Sequence, residues 1–315
     1  MGSELCIRDR CYDKILRSYQ VIGIIFFLIS LFCIINCTSN FTNGNEVSPD
    51  ISKGSVIVVN SDIAVGVNRI LFIALDSDGI PLRNSRLPII FSLKDKTNNF
   101  ELQQSANFVN WPNSESGAYV SVIEFPIDGN WTMLVGTTYQ NQELFLKVPL
   151  NVQKTSSSIS IGANVPSTYN KTRYDVNDIR SITSSDNPDL ELYSVSVGDA
   201  VLNNKYSIVT FASPMYCQTS TCGPQVDVLS DLNKEYKQDI NFIHIEVYDR
   251  NYDNEGELIK VSISPILDTW GLKSEPYTFV LSLTGKVMMK YEGFVTEKEL
   301  KTFIRSSLNL SLIHI

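Results

Sequence analysis

The sequence predicts two folded modules behind an N-terminal apolar segment: an all-β sandwich, and then an α/β sandwich around a mixed sheet. Three observations predict this architecture. The chain has 315 residues, enough for about two domains. Short runs rich in Val, Ile, Phe and Thr fill residues 54–153, whereas strand and helix patterns alternate in residues 194–309. Between them, residues 154–193 are rich in Ser, Thr, Asn and Pro and are predicted to be a linker.

Composition places the chain among globular proteins and limits its partners. Hydrophobic residues make up 43% of the chain, charged residues 19%, and the net charge is −8. Binding to nucleic acid requires clustered Lys and Arg, and the acidic sequence has no such stripe, so we expect no nucleic-acid partner. Four of the six cysteines lie in the first 37 residues, which leaves Cys217 and Cys222 in the folded body. That distribution is unlike a disulfide scaffold.

The two ends of the chain are expected to be foreign to the protein. The last six residues, LSLIHI (residues 310–315), resemble one reading frame of a transposon-end adapter used in sequencing libraries. The stretch CIRDR, within the first ten residues, resembles the same adapter read from the other strand. Such ends carry no information about the fold, so Cys6 and His314 are given no role.

Residues 1–37 are predicted to export or anchor the body of the protein. Lys14 and Arg17 precede an uncharged apolar run, residues 21–35, whose length lies between a signal-peptide core and a spanning helix. Basic residues before the run and none just after it indicate a body outside the cytoplasm. The segment ends at Cys37 and resembles a bacterial lipoprotein signal, which implies lipidation of Cys37. A plain membrane anchor and a buried helix are the alternatives.

A polar tether, residues 38–53, precedes the predicted β-sandwich of residues 54–153. The short strand-like runs of residues 54–153 are bounded by turn signals such as Asp78-Gly79. Six or seven strands in about 100 residues resemble an immunoglobulin-like sandwich. The run GAYVSVIEFPIDGNWTMLVG resembles small sandwich domains of bacterial envelope proteins. Trp111 and Trp131 are expected in the core rather than at a binding surface, and the module is expected to be a spacer or binding module.

The elements of the C-terminal module alternate along the chain. A buried strand at residues 207–211 precedes a helix in VDVLSDLNKEY, and a second buried strand lies in INFIHIEVYD. A polar insertion, RNYDNEGELIK, separates that strand from a short helix with Pro265 in its first turn. A strand pair and a last helix with a Thr296–Glu299 capping box follow. The order β, α, β, α, β, β, α predicts an α/β sandwich.

The stretch CQTSTCGPQ, residues 217–225, joins the first core strand of this module to its first long helix. It looks like the WCGPC motif with Gln225 in place of the second cysteine. Pro276 opens a later strand, and a hairpin and a helix close the module. With these features, residues 195–308 resemble the thioredoxin fold. The resemblance implies that Pro276 is a cis-proline facing the active site.

The resemblance also implies a redox site made of Cys222 and Cys217, with Gly223 and Pro224 as its supporting context. Five residues of regular helix rise roughly 7.5 Å, which exceeds the usual Cα separation of a disulfide. We therefore expect Cys217 in the loop and Cys222 near the helix start, where a thiolate is stabilised. Cys222 is expected to attack and Cys217 to resolve, although the reverse assignment stays open.

Three carboxyl and imidazole groups are expected near this site. His244 and Glu246 alternate with apolar residues and so share one strand face, either as a proton relay or as a structural pair. Glu275 directly precedes Pro276, and a carboxylate close to the thiolate would raise the pKa of the thiol.

The run FASPMYCQTSTCGPQVDVL resembles thioredoxin-like domains of bacterial envelope proteins. It implies a membrane-tethered, extracytoplasmic thiol–disulfide oxidoreductase that acts on a protein thiol or disulfide partner without a cofactor. The alternatives are a non-catalytic envelope protein with a structural disulfide, a peroxiredoxin-like peroxidase and a Sco-like copper chaperone. Pro214 stands where that peroxidase family has Thr, and His244 is not where Sco-type proteins hold their ligand. A cysteine pair with one usable His predicts no metal site, and the oligomeric state stays open.

Overall fold

The computed structural model describes residues 54–94, 97–112, 114–139, 142–253 and 255–308. The predicted signal or anchor, the tether and the adapter-like ends all lie outside these ranges. Within them, no helix has the length and apolar character needed to cross a bilayer. All described residues belong to one compact unit of the chain, Pro49–Ile315.

Seven antiparallel strands form the first sheet of the described chain. In spatial order they run β1-β2-β5-β4-β3-β6-β7. Their bounds are β1 Ser55–Val58, β2 Gly66–Leu75, β3 Arg86–Lys94, β4 Asn99–Asn110, β5 Gly117–Phe125, β6 Gly129–Tyr139 and β7 Gln142–Val152. In β3, buried residues alternate with exposed or half-buried ones, as expected of a strand with one face on a core.

Aromatic side chains fill the core that this sheet encloses. Trp131 is buried and its ring lies 5.1 Å from that of Phe125, which in turn lies 5.5 Å from Phe91 in an edge-to-face arrangement. The indole N–H of Trp131 donates to the carbonyl of Ile127, so its polar atom is satisfied. Trp111 is half-buried and packs both against the C-terminal core and against Leu71, Ala118 and Val120 of the first sheet.

The C-terminal part contains a four-stranded mixed sheet and a separate two-stranded ribbon. The sheet order is β13-β12-β8-β9, with β8 and β9 parallel and the other neighbours antiparallel; β10 and β11 form the ribbon. The strands are β8 Tyr206–Ala212, β9 Ile240–Glu246, β10 Tyr248–Tyr252, β11 Leu258–Ile263, β12 Tyr277–Leu281 and β13 Val287–Glu292. The helices are α1 Val197–Leu202, α2 Cys222–Tyr236, α3 Ile266–Trp270 and α4 Glu297–Ser307, with 3-10 turns at Ile179–Ser181 and Leu190–Tyr193.

The predicted fold class, a thioredoxin-like α/β fold after an immunoglobulin-like sandwich, is wrong for this chain. Of the described residues, 42% are in strands and 18% in helices, and these residues show no thioredoxin-like α/β arrangement. The first sheet is continuous and nearly closed rather than split into two sheets, because β3 pairs with β4 on one edge and with β6 on the other. The polar insertion after β9 adds further strands, since it forms most of the ribbon of β10 and β11.

A buried ionic cluster ties the loop after β1 to the C-terminal sheet. The carboxylate of Asp62 accepts hydrogen bonds from the backbone N–H groups of Ser157 (2.8 Å) and Ser158 (3.1 Å) and from Lys290 Nζ (3.2 Å). Burial alone would raise the pKa of Asp62. The hydroxyls of Ser156 and Ser158 and the charge of Lys290 outweigh that effect and hold the pKa well below its usual range.

A second set of polar contacts joins β2 to the end of the chain. Arg69 is buried; its Nε donates to Glu299 at 2.8 Å and its Nη2 donates to the carbonyl of Phe294 at 2.8 Å. On β13, the carboxylate of Glu292 accepts from the backbone N–H of Ser61 at 2.9 Å. The two sheets are therefore held together by charged groups at defined positions, while the domain boundaries drawn from the sequence stay a prediction.

We expect Asp62→Asn to lower the free energy of unfolding by about 3 kcal/mol, because Lys290 would be left buried without its counter-charge. Urea denaturation followed by circular dichroism measures the change. Glu115→Gln is the matched control, since it breaks an exposed pair with Arg83 and is expected to cost about 0.5 kcal/mol or less. Equal costs for the two variants would show that the buried cluster does not stabilise the fold.

Candidate functional site

A disulfide joins Cys217 and Cys222 at the start of α2. Their Cα atoms lie 5.9 Å apart, within the range that a disulfide requires. Cys222 is the first residue of the helix and is fully buried. Cys217 lies in the preceding loop and is half-buried. The two sulfurs of the bond therefore differ in their access to solvent.

The loop between β8 and α2 is shaped by a few backbone contacts. The carbonyl of Ser213 accepts hydrogen bonds from the N–H groups of Tyr216 (3.1 Å) and Cys217 (3.0 Å), which turns the chain directly after β8. Ser220 adopts a left-handed conformation with φ of 57°, which turns the chain again before the helix begins. These two turns bring Cys217 back over the first residue of α2.

The start of β12 lies at the same edge of the sheet. The Glu275–Pro276 peptide bond is cis. Because Tyr277 pairs with Phe211 on β8, Glu275 reaches Ser213, whose hydroxyl lies 2.7 Å from Oε1 and 2.6 Å from Oε2. Burial raises the pKa of Glu275 despite this hydrogen bond. The structure thus connects Glu275 to the disulfide loop through Ser213.

His244 on β9 is fully satisfied in the interior. Its Nε2 lies 2.9 Å from the carbonyl of Ala212 and its Nδ1 lies 2.6 Å from the hydroxyl of Tyr193. Since the carbonyl can only accept, Nε2 carries the proton; the Tyr193 hydroxyl that contacts Nδ1 also lies 2.8 Å from Oγ1 of Thr183. Burial lowers the pKa of His244 to about 4, so the ring is neutral at pH 7. Both nitrogens are occupied, and neither is free to exchange a proton with a thiol.

Glu246, two residues further along β9, is buried, and the pKa of its carboxyl is raised. Its Oε2 accepts from the N–H of Ser184 at 2.6 Å and its Oε1 from the N–H of Val247 at 3.1 Å. Burial nevertheless raises the pKa of Glu246 to about 7, and the nearby charge of Glu275 adds to the rise. The disulfide edge of the sheet therefore carries two carboxyl groups with raised pKa values.

The first turn of α2 shows how the remaining motif residues are used. A Cβ added to Gly223 would meet no atom within 4 Å, so this position faces open space. Pro224 lies in the first turn, where its missing N–H leaves no helical hydrogen bond unmade. Gln225 is fully buried, and its Oε1 accepts from the N–H of Val295 at 2.8 Å. Its side chain thus links α2 to the segment before α4.

Sequence reasoning gave no site role to Ser213, Tyr216 or Gln225. Ser213 and Tyr216 carry no motif, and only the register of β8 against β12 brings Ser213 to Glu275. The signal for Gln225 was present in the sequence, because it stands where WCGPC has its second cysteine. A buried amide at that position holds neighbouring backbone, whereas a cysteine would offer a second thiol.

Comparisons with protein-family models, curated proteins and solved structures gave no match for this chain. The resemblance of residues 217–225 to thioredoxin-like envelope proteins stays a prediction. Within the described ranges, no group of three or more His, Cys, Asp or Glu side chains is placed to hold a metal ion. The function has to be inferred from the disulfide and the groups around it.

We expect Glu246→Gln to change how stability depends on pH. Native Glu246 keeps its proton up to about pH 7, against an ordinary pKa of 4.5, so it makes the free energy of unfolding fall as pH rises through that window. His244 has the opposite effect, because its pKa falls from 6.5 to about 4 on folding, so its contribution makes stability rise with pH between those values. The two slopes oppose each other in the wild-type protein.

Of these two slopes, the Glu246→Gln variant retains only that of His244. Relative to wild type, its free energy of unfolding should rise more steeply between pH 4.5 and 6.5, by up to about 1.4 kcal/mol per pH unit. Urea denaturation across this range measures the slope, and the exposed Glu255→Gln serves as the control. Parallel curves for wild type and Glu246→Gln would contradict the raised pKa of Glu246.

Proposed function

We propose that this protein is a thiol–disulfide oxidoreductase that exchanges its Cys217–Cys222 bond with a protein thiol or disulfide. The observation that carries the proposal is the position of the bond: Cys222 begins a 15-residue helix and Cys217 lies in the loop before it. The N-terminus of a helix stabilises a thiolate. Cleavage of the bond therefore has a favourable leaving group in Cys222.

Burial favours Cys217 as the sulfur that meets the substrate, in contrast to the sequence-based preference for Cys222 as the attacking residue. Cys222 is fully buried, whereas Cys217 is half-buried and its Sγ lies 3.2 Å from the hydroxyl of Thr219 in an exposed contact. A substrate thiolate attacks the Sγ of Cys217, the bond to Cys222 breaks, and Cys222 leaves as a thiolate.

The exchange is completed within the mixed disulfide. A second substrate thiolate attacks the substrate sulfur, which releases the Cys217 thiolate and an oxidised substrate. In the reverse direction, the Cys217 thiolate attacks a substrate disulfide and Cys222 then attacks Cys217, so that the substrate leaves as a dithiol. Both directions transfer two electrons between the protein and its substrate, and neither needs a cofactor.

Ser213 and Glu275 support this role by placing the loop cysteine. The Ser213 carbonyl accepts from the N–H of Cys217, and its hydroxyl is held by the Glu275 carboxylate. A carboxylate at this edge also disfavours a nearby thiolate. We therefore expect the thiols of this pair to be less acidic than those of strongly oxidising enzymes.

The proposed location is outside the cytoplasm, with the body tethered to a membrane. Lys14 and Arg17 before an apolar run, and Cys37 at its end, support either a lipid anchor or an uncleaved helix. An oxidising compartment would also allow the disulfide to persist.

A second candidate is a binding protein in which the disulfide is purely structural. The observation that favours it is the full burial of Cys222 within the hydrophobic core beside Val226 and Leu229. Buried cysteines are usually inert. The two candidates differ in the reduction potential of the bond.

We expect the full chain to equilibrate with glutathione buffers at a reduction potential between about −120 and −270 mV, the range of working oxidoreductases. Alkylation of free thiols followed by mass spectrometry measures the reduced fraction of the Cys217–Cys222 pair. A bond that stays oxidised below about −300 mV would instead mark it as structural.

The reactivity of the two thiols is tested with single variants. Cys217 in the Cys222→Ser variant should form a mixed disulfide with oxidised glutathione at least about tenfold faster than Cys222 in the Cys217→Ser variant, because only Cys217 is accessible. Stopped exchange with mass-spectrometric detection gives both rates. A faster reaction at Cys222 would restore the assignment based on the sequence.

A further inference from the structure

A polar cavity of about 490 Å³ lies beside the disulfide loop. Its walls come from residues 167–171, from the end of β9, from the ribbon of β10 and β11, and from the start of α3. Tyr216, which precedes the loop cysteine, packs edge to face on Tyr248 at the rim of this region. The volume lies within the range of sites for small organic ligands.

Arg250 on β10 places a positive charge in the wall of the cavity. Its side chain is buried, with the residue only 8% exposed. Nη1 donates to the carbonyls of Thr183 at 2.9 Å and of Arg180 at 3.2 Å. In the described part of the chain, Nε is buried without an acceptor and Nη2 makes no hydrogen bond. Because Nε is enclosed, Nη2 is the unpaired donor of this guanidinium that a ligand in the cavity can reach.

The charge of Arg250 also lacks a counter-ion among the described residues. No carboxylate forms an ion pair with it there. The pKa of Asp178 is lowered mainly by its hydrogen bonds with Arg180 and only slightly by the charge of Arg250, and Asp178 forms its ion pair with Arg180. The rings of Tyr216 and Tyr252 lie 5.8 and 5.4 Å from the guanidinium and attract it without neutralising it. Buried charges in folded proteins are normally paired, so an anion is the missing partner.

We propose that this cavity binds a small organic carboxylate that accepts a hydrogen bond from Nη2 of Arg250. A hydrogen bond between a guanidinium and a carboxylate is charge-assisted and therefore stronger than a neutral one. The carboxyl of Glu246 lines the same cavity and disfavours a doubly charged phosphate. Ile245 and Ile266 offer apolar surface for the body of the ligand.

Glu246 lies in the wall of the same cavity, and its two oxygens already accept hydrogen bonds from the N–H groups of Ser184 and Val247. The proposal does not depend on redox chemistry, and binding is measured with the disulfide oxidised.

The test is calorimetric titration of the full chain with benzoate, and with benzamide as the uncharged molecule of the same shape. We expect benzoate to bind at least about tenfold more tightly than benzamide, because only the charged carboxylate neutralises the buried guanidinium. Arg250→Gln should abolish the preference for benzoate. Arg86→Gln is the matched control: its side chain is exposed on β3 and does not line the cavity, so binding should not change.

A second variant guards against misfolding of Arg250→Gln. Ser262→Trp fills the cavity from the partly exposed strand β11, leaves Arg250 in place, and should abolish benzoate binding. Equal binding of benzoate and benzamide to the wild-type chain, absence of benzoate binding at millimolar concentration, or binding that survives in folded Arg250→Gln or Ser262→Trp would each overturn the proposal.

Discussion

The pairing of β8 with β9 on one side and β12 on the other is the constraint on which the rest of the site depends. Parallel pairing with β9 brings Glu246 level with Ala212, and antiparallel pairing with β12 brings Tyr277 level with Phe211. The end of β8 therefore meets the end of β9 and the start of β12 at one edge. The disulfide loop leaves from that edge, so its position is set by the register of backbone hydrogen bonds.

The structure accommodates three buried ionisable groups in three different ways. Asp62 stays charged because hydroxyl groups, backbone N–H groups and Lys290 surround it. His244 stays neutral because burial opposes its protonation while both its nitrogens are hydrogen-bonded. Arg250 cannot lose its charge and has no carboxylate among the described residues, which distinguishes it from the other two. The first two groups are satisfied by their neighbours in the fold, and the third leaves the Nη2 donor of Arg250 for a ligand.

Local sequence patterns predicted strands well and their assembly poorly. The short apolar runs of residues 54–153 and the turn at Asp78-Gly79 are properties of neighbouring residues, and strands lie on both sides of that turn. Whether hairpins remain in one sheet or split into two depends on the edges of β3, which are hydrogen-bonded to strands from different parts of the chain. The polar character of residues 250–260 likewise gave no prediction of the two strands β10 and β11. A two-stranded ribbon needs no alternating apolar face, so the usual strand pattern is missing there.

The sequence by itself determined which chemistry is available: two thiols in the folded body, a Gly-Pro helix start after the second of them, and an isolated Pro276 near an acidic residue. These are properties of residue types and of short spacings, and both can be read directly from the sequence. Only the tertiary structure decided that Cys222 is buried and Cys217 accessible, that Ser213 links the loop to Glu275, and that Arg250 faces a cavity. Burial and register arise from contacts between residues far apart in the sequence, so no local pattern encodes them.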